Sequence, residues 1–286
     1  MVMKTLFIIL TASLFIGSGP MRSGVSEKED ISKTLQFPPG GSTKQIIVDN
    51  ISGSIDVVGY DGNDIQLVAH RTSFGDTPDK LKESKQKITL DIKEEPGRII
   101  VYVNTPWRCR DGSVSYRDRE DYGFDADFDF ELKVPAHSDF SLKTVNKGPI
   151  TVQNMHGAFD VHNVNGGINM SRIDGAGIVR TVNGGVHVDF SKNPLSPCAF
   201  TTVNGTIEVK VPDELAADLK LKTFNGEVYS DFEVSGLPRQ AAVAERVGRR
   251  TVYRGDEFFS VRAGRGGPEL KFETLNGDIR ILRTHS

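Results

Sequence analysis

The chain has few of the residues on which metal, redox and nucleic-acid sites depend. Its 286 residues include 2 cysteines, 1 tryptophan and 6 histidines, and the histidines show no metal-ligand spacing. The 35 basic residues are balanced by 38 acidic ones, which gives a net charge of -3. A nucleic-acid-binding protein normally carries a basic excess. We therefore expect no metal, no cofactor and no nucleic-acid partner.

Long apolar runs are also missing, except at the N-terminus. Lys4 precedes an apolar stretch, residues 6–16, which is followed by small residues at 17–19. This order is typical of a secretory signal peptide, and the run is too short to span a bilayer comfortably. The sequence predicts a signal peptide within residues 1–23, although Pro20 leaves the cleavage position open. A buried N-terminal strand or helix is the alternative.

Removal of this segment would leave residues 24–286, which we expect to form one domain without a transmembrane segment. No other stretch is apolar enough to cross a membrane. The predicted location is the periplasm, the cell surface or the medium. Export would permit a disulfide between Cys109 and Cys198. The repeat described next favours a buried, free Cys198, but the disulfide stays open.

The dominant feature of the sequence is an internal repeat built on Thr-Val-Asn-Gly. The early copies start about nine residues apart, and later copies start at residues 202, 223 and 274. The turn residues of the copies are Asn146, Asn165, Gly166, Asn183, Gly184, Asn204, Gly205, Asn225, Gly226, Asn276 and Gly277. Asn-Gly readily adopts the backbone conformations of a sharp corner, so each copy predicts a corner of the chain.

Apolar residues recur in columns on both sides of each turn asparagine. One residue before it stand Val145, Val164, Val182, Val203, Phe224 and Leu275. Three residues after it stand Ile168, Val186, Ile207, Val228 and Ile279. Further apolar columns lie four and six residues before it, and Cys198 falls in the second of these. We interpret all these columns as inward-facing strand positions.

A nine-residue unit cannot bury its own apolar face, so the units must stack. The pattern predicts an all-β protein, a right-handed β-solenoid of short repeats in which the Asn and Thr columns hydrogen-bond to their counterparts in neighbouring units. A two-residue Asn-Gly hairpin would pair an apolar column with a polar one. A hairpin-built β-sandwich is the alternative. Thr77-Pro78-Asp79 predicts one short helix over residues 78–87.

The repeat and the order of the segments resemble a known family. The Thr-Val-Asn-Gly units, a leading segment like residues 46–58, the helix near residue 80 and a final strand pair at 269–282 are similar to the bacterial putative-adhesin domain of unknown function. The resemblance covers roughly residues 35–286. It implies a right-handed β-helical fold and export to the envelope or surface. It brings no catalytic residues.

Three outward-facing regions are candidates for function. The insertion at residues 237–268 is the most basic local stretch and would suit an anionic polymer; its candidate residues are Arg246, Arg249, Arg250 and Arg254. The strand at 124–134 alternates apolar and acidic residues, which predicts a solubilising outer face. The outward column holds Asn169, His187, Glu208, Tyr229 and Arg280.

In that outward column, stacking would bring His187 next to Glu208, as a polysaccharide lyase or hydrolase would require. An ordinary solvated face is the interpretation we prefer, because the column has no chemical theme. The sequence thus predicts an exported, non-catalytic, adhesin-like protein with a surface or envelope partner, either a glycan or a protein. A carbohydrate-active enzyme is the alternative.

Overall fold

The computed structural model describes residues 24–109, 122–212, 214–238, 243–247, 250–254 and 258–284, with the backbone alone for residues 243–247 and 250–254. The predicted signal peptide, residues 1–23, lies outside these ranges and stays a prediction. The described chain forms two large mixed β-sheets, which hold ten and eleven strands. We call them sheet A and sheet B, and the apolar core lies between them.

The elements follow one another along the chain as short strands with one helix among the described residues. In chain order they are β1 (Val25–Gln36), β2 (Gln45–Asp49), β3 (Ile55–Tyr60), β4 (Asp64–Gly75), α1 (Pro78–Lys87), β5 (Thr89–Glu95), β6 (Arg98–Asn104), β7 (Phe124–Pro135), β8 (Asp139–Lys143), β9 (Ile150–Gln153), β10 (Phe159–His162), β11 (Ile168–Ile173), β12 (Gly177–Arg180), β13 (Val186–Phe190), β14 (Cys198–Thr201), β15 (Ile207–Val211), β16 (Ala217–Asn225), β17 (Val228–Ser230), β18 (Val234–Gly236), β19 (Val243–Val247), β20 (Arg250–Arg254), β21 (Phe259–Ala263), β22 (Glu269–Asn276) and β23 (Ile279–Arg283).

The architecture is that of a sandwich, and the predicted right-handed β-solenoid is wrong. Sheet A has the order β1-β4-β7-β3-β9-β11-β13-β15-β23-β17, and sheet B has the order β18-β21-β16-β22-β14-β12-β10-β8-β2-β6-β5. Antiparallel pairs occur at the ends of the sheets, for example β1 with β4 and β16 with β21. The final strands β22 and β23 also insert between earlier strands, so the spatial order does not follow the chain as coils would.

The sandwich is not built from hairpins of the repeat either. From β8 to β17, successive strands lie alternately in sheet B and sheet A, because the chain crosses between the sheets at each turn. Next-but-one strands therefore become parallel neighbours, as β11 and β13 do in one sheet and β10 and β12 in the other. Equivalent positions of the repeat are paired in register, which stacks the apolar columns.

Most of the predicted columns do face the core. Ile168, Val186, Ile207 and Ile279 are fully buried, whereas Val228 is 41% exposed because β17 is an edge strand. We predicted that the column directly before the turn asparagine also faces inward, and this prediction is wrong. Val182 is 37%, Leu275 47% and Phe224 78% exposed. The reason is strand parity: positions six, four and two before the asparagine point inward, so the threonine is buried and the next residue is not.

The buried threonines satisfy the polar groups at the corner. They donate to the glycine carbonyl of the neighbouring unit, not to another threonine as we predicted. The pairs are Thr144 with Gly53, Thr181 with Gly166, Thr202 with Gly184, Thr223 with Gly277 and Thr274 with Gly205. Four of these threonines are buried and Thr223 is partly buried. Each bond pairs a hydroxyl with a backbone carbonyl, and both groups would be costly to bury without a partner.

Replacing Thr202 with valine tests this role, because the two side chains have nearly the same shape. The Thr202 hydroxyl is 2.9 Å from the Gly184 carbonyl oxygen, and the residue is buried. We expect the free energy of unfolding to fall by about 1–3 kcal/mol, because the carbonyl loses its partner. Urea denaturation measures the change. Thr201→Val on the outward side is the control, and equal losses would contradict the assignment.

The predicted helix is present as α1, and its start follows the expected rules. The Thr77 hydroxyl accepts a hydrogen bond from the Lys80 N–H at 3.2 Å, and Pro78 occupies the first turn. The helix packs on β4 and β7, where Arg71 donates to the Ser84 carbonyl and to Glu29. In the described part of the chain, no helix is long and apolar enough to cross a membrane.

Candidate functional site

A shallow groove with a volume of about 270 Å³ opens on the outer face of sheet A. Four parallel strands, β9, β11, β13 and β15, form its floor. Its lining residues are Thr151, Gln153, Asn169, Met170, Ser171, His187, Val188, Asp189, Glu208 and Lys210. Most of them are polar, and they alternate along each strand with side chains that point into the core.

The register of the strands places the groove residues in two rows that cross the sheet. Asn169 pairs with His187, and His187 pairs with Glu208, so that the two residues singled out from the sequence are neighbours. The second row lies two residues further along each strand and consists of two separate pairs, Gln153 with Ser171 and Asp189 with Lys210, because the register between β11 and β13 shifts after Met170. Sequence reasoning missed this second row. Its signal was the period of two, which puts residue i+2 on the same face.

The charged groups of the groove are engaged by neighbours. The Lys210 ammonium lies 3.4 Å from the Glu208 carboxylate. The Asp189 carboxylate accepts a hydrogen bond from the Thr284 hydroxyl at 3.2 Å. The His187 ring lies over Gly185 of its own strand. Its Nε2 atom would be 2.9 Å from a β-carbon added to that glycine. The groove thus offers donors, acceptors and both signs of charge over a short distance.

The first row continues beyond the groove to the edge of the sheet. Glu208 pairs with Arg280, and Arg280 pairs with Tyr229. The Arg280 guanidinium lies 5.7 Å from the centre of the Tyr229 ring, within the range of a cation–π contact. The Tyr229 hydroxyl donates to Glu227, and this hydrogen bond raises the pKa of Tyr229. All five residues of the predicted outward column therefore lie on one face.

The other end of the row is acidic. Thr151 pairs with Asp56, and Asp56 pairs with Glu131 of the predicted acidic strand. Burial raises the pKa of Asp56, and the nearby carboxylates of Glu131 and Asp129 raise it further, against a hydrogen bond from Thr151. Among the described residues, no group of three or more His, Cys, Asp or Glu side chains could hold a metal ion.

Basic side chains offset the acidic face. The Lys147 ammonium lies 2.9 Å from Asp127. The His70 imidazole lies 2.8 Å from Asp30 and 3.5 Å from Glu131. The hydrogen bond to Asp30 is the main cause that raises the pKa of His70 above its usual 6.5. The acidic strand is consequently tied to β1 and β4 rather than left as an unpaired surface.

A pH dependence of stability follows from His70. Because its folded-state pKa is raised, protonated His70 contributes stability that is complete below pH 6.5 and is lost as the pH rises through the folded-state value. We expect the difference in unfolding free energy between the wild type and His70→Gln to shrink as the pH rises above that point. Urea titrations across this range measure it, and a difference that grows with pH would contradict the assignment.

The turn asparagines lie on the outside and form a hydrogen-bonded ladder. Each side-chain amide donates to the side-chain oxygen of the asparagine in the adjacent unit at 2.7–3.1 Å. The donor–acceptor pairs are Asn165–Asn146, Asn183–Asn165, Asn204–Asn183, Asn276–Asn204 and Asn225–Asn276. The glycines Gly166, Gly184, Gly205, Gly226 and Gly277 follow these rungs. This ladder holds one edge of the sandwich in register.

The remaining predicted residues lie elsewhere. Arg246 falls on β19, and Arg250 and Arg254 on β20, which pair as an antiparallel hairpin separate from the two sheets. Arg249 lies outside the described residues, and the binding role of this insertion stays a prediction. Both cysteines are free thiols: Cys109 is exposed and Cys198 is buried. Burial raises the pKa of Cys198 to about 11, as expected for an inert core thiol.

Comparisons with known proteins give distant structural likenesses. No family model matches the chain, and neither does any curated protein. It is similar to a putative cell adhesion protein from Clostridium sporogenes, with 12% identity, a TM-score of 0.46, and coverage of 89% of this chain and 100% of that one. It is also similar to a putative adhesin from Bacteroides fragilis, with 10% identity, a TM-score of 0.40, and coverage of 89% and 97%.

A third solved structure is a putative lipid binding protein from Parabacteroides distasonis, with 9% identity, a TM-score of 0.26, and coverage of 88% and 96%. Two of the three names agree with the adhesin resemblance of the repeat. The β-helical detail that the resemblance implied is not confirmed. With TM-scores below 0.5, these likenesses carry no argument about what the chain binds.

Proposed function

We propose that the chain is an exported, non-catalytic, adhesin-like interaction protein, and that the groove on the outer face of sheet A binds a glycan chain. The observation that carries the proposal is the row of polar side chains Thr151, Asn169, His187 and Glu208, which runs in register across four parallel strands and is flanked by further polar groups of the groove. Amide, imidazole, hydroxyl, carboxylate and ammonium groups together can pair with sugar hydroxyls, which both donate and accept.

The spacing of the array supports a polymeric ligand. Neighbouring strands of a sheet lie about 4.8 Å apart, a distance similar to the advance of one pyranose ring in a linked chain. A glycan lying across the strands would therefore meet a polar side chain of the first row at each step. The row ends at Tyr229, which is 45% exposed and offers an aromatic face for a sugar ring.

The floor of the groove is held rigid from below. Val186, Val188, Ile207 and Val209 project from the same strands into the core and are buried. Rigid placement lowers the entropy that a binding site loses when its ligand arrives. Export through the N-terminal segment would bring the groove into contact with envelope or surface polysaccharides.

The test is a glycan array, followed by titration of each hit with the purified mature chain. We expect the double variant His187→Ala/Glu208→Ala to weaken binding by about tenfold or more, because two hydrogen-bonding groups are lost. Arg180→Ala on the outer face of sheet B is the matched control and should bind like the wild type. A third arm lacks residues 239–257. Binding that survives the double variant but fails without residues 239–257 would assign the site to the basic insertion instead.

A carbohydrate-active enzyme is the second candidate, because the groove brings together His187, Asp189 and Glu208. Glycoside hydrolysis uses a pair of carboxylates, and Asp189 and Glu208 would supply such a pair. Against this, Lys210 and Thr284 already engage these carboxylates. Incubation with a polysaccharide panel decides between the candidates. Release of reducing or unsaturated ends that disappears in Glu208→Gln would replace the binding proposal with the enzymatic one.

A further inference from the structure

The asparagine ladder has a chemical consequence, because asparagine before glycine is prone to intramolecular cyclisation. The backbone nitrogen of glycine attacks the side-chain carbonyl carbon of asparagine, a new C–N bond forms, and the side-chain nitrogen leaves as ammonia. Water then opens the resulting succinimide at either carbonyl, giving aspartate or isoaspartate. The Asn-Gly pairs of the repeat begin at Asn165, Asn183, Asn204, Asn225 and Asn276.

Inside the stack, both reacting groups are held. The Asn183 amide donates to Asn165 at 2.9 Å, and its oxygen accepts from Asn204 at 2.8 Å. The nucleophile is held as well, because the Gly184 N–H donates to the Asn204 backbone carbonyl at 3.0 Å. Cyclisation at Asn183 requires all three bonds to open. The same set of bonds holds Asn204 and Asn276, through Gly205 and Gly277.

Asn225 differs because it is the last rung. Its amide donates to Asn276 at 2.7 Å, but in the described part of the chain no asparagine of a further unit donates to its oxygen. Within the described residues, the Gly226 N–H likewise has no acceptor. The preceding Phe224 is 78% exposed, and β17 beyond it is the edge of sheet A. The first hydrogen bond that holds the chain after this Asn-Gly pair is made by the Glu227 N–H, which donates to the Asp278 carboxylate at 3.1 Å.

We propose that Asn225 is a site of spontaneous conversion to aspartate and isoaspartate, and that stacking protects the inner Asn-Gly pairs. Conversion removes the amide that donates to Asn276 and places a carboxylate beside an oxygen that needs a donor. Isoaspartate also adds a backbone atom before β17, which shifts the pairing of that strand with β23. The modification therefore releases the end strand of sheet A.

The order of reactivity among the pairs follows from the bonds that must open. Asn225 should convert roughly tenfold to a hundredfold faster than Asn183 or Asn204, because two fewer hydrogen bonds of ordinary strength oppose it. Asn165 should fall between them. Its side chain is bonded on both sides, but the Gly166 N–H has no acceptor among the described residues.

The experiment incubates the folded mature chain in mildly alkaline buffer made with heavy-oxygen water, followed by peptide mapping with mass spectrometry. A parallel sample in urea gives the rates of the unfolded chain, where the pairs should convert at similar rates because their local sequences are alike. Equal rates at Asn225 and Asn183 in the folded sample would overturn the proposal. A ranking that persists unchanged in urea would also overturn it, because the protection would then not come from the fold.

A variant tests the protection directly. Asn225→Ala removes the donor to the Asn276 oxygen, so conversion at Asn276 should rise several-fold while conversion at Asn183 stays unchanged. No rise at Asn276 would contradict protection by stacking. Hydrogen exchange supplies a second readout: after conversion of Asn225, the amides of residues 228–230 should exchange faster, whereas those of β13 should not.

Discussion

Replacing Phe200 with alanine should lower the free energy of unfolding by about 3–5 kcal/mol, the usual cost of removing a large aromatic side chain from a core. Phe200 is fully buried on β14. Its ring lies 5.2 Å from that of Phe272, which is stacked on it, and 6.3 Å from that of Phe190. Removal leaves a cavity where two neighbouring units and both sheets meet. The measurement is urea denaturation followed by circular dichroism.

Phe224→Ala is the matched control, since it removes the same kind of side chain from another copy of the repeat. Phe224 occupies the column directly before the turn asparagine and is 78% exposed. We expect a change within about 0.5 kcal/mol, as for most surface positions. If both substitutions cost the same, the assignment of inward and outward columns is wrong.

Replacing Gly205 with alanine should cost about 3 kcal/mol, at the upper end of what overpacking usually causes. A β-carbon at this position would overlap the carbonyl oxygen of Gly184 in the neighbouring unit. The same oxygen accepts the hydrogen bond from Thr202, so it cannot move away without breaking that bond. The expected result is a lower midpoint of urea denaturation. Separation of the two neighbouring turns should also make the backbone amides of Asn204 and Gly205 exchange hydrogen faster.

Gly236 provides the control for this prediction. It lies on the edge strand β18, and a β-carbon there would meet no heavy atom within 4 Å. Gly236→Ala should be neutral or slightly stabilising, because alanine reduces the freedom of the unfolded chain. A loss at Gly236 that matches the loss at Gly205 would show that close stacking of the units is not the cause.

Much of the candidate site could be predicted from the sequence. The period-two pattern placed His187 and Glu208 at equivalent positions of neighbouring units, and the structure pairs them. The same pattern contained Asp189 and Lys210, which needed only one further step along each strand. What the sequence could not supply was the groove itself, because its depth depends on the twist of the sheet and on where side chains such as Thr284 contact it.

The error in the columns shows how a strong motif can mislead. Val182 and Leu275 are aliphatic and recur at every turn, so hydrophobicity alone placed them inside. Parity placed Thr202 and Thr274 there instead, because the strands extend without interruption from the deeper apolar positions. A buried threonine is tolerated at this point because its hydroxyl donates a hydrogen bond to a glycine carbonyl of the neighbouring unit.

The sequence by itself determined the all-β class of the protein, the short helix α1 and most of the inward columns, because these depend on local period and capping chemistry. Only the tertiary structure decided the order of the strands. The pair β22–β23 joins the stack between β14–β15 and β16–β17 after an insertion, and loop length opposes such a long connection only weakly. Any strand edge with matching columns can accept a partner strand. The strand order is therefore set by the pairing that buries the most apolar surface, and this surface is a property of the whole molecule.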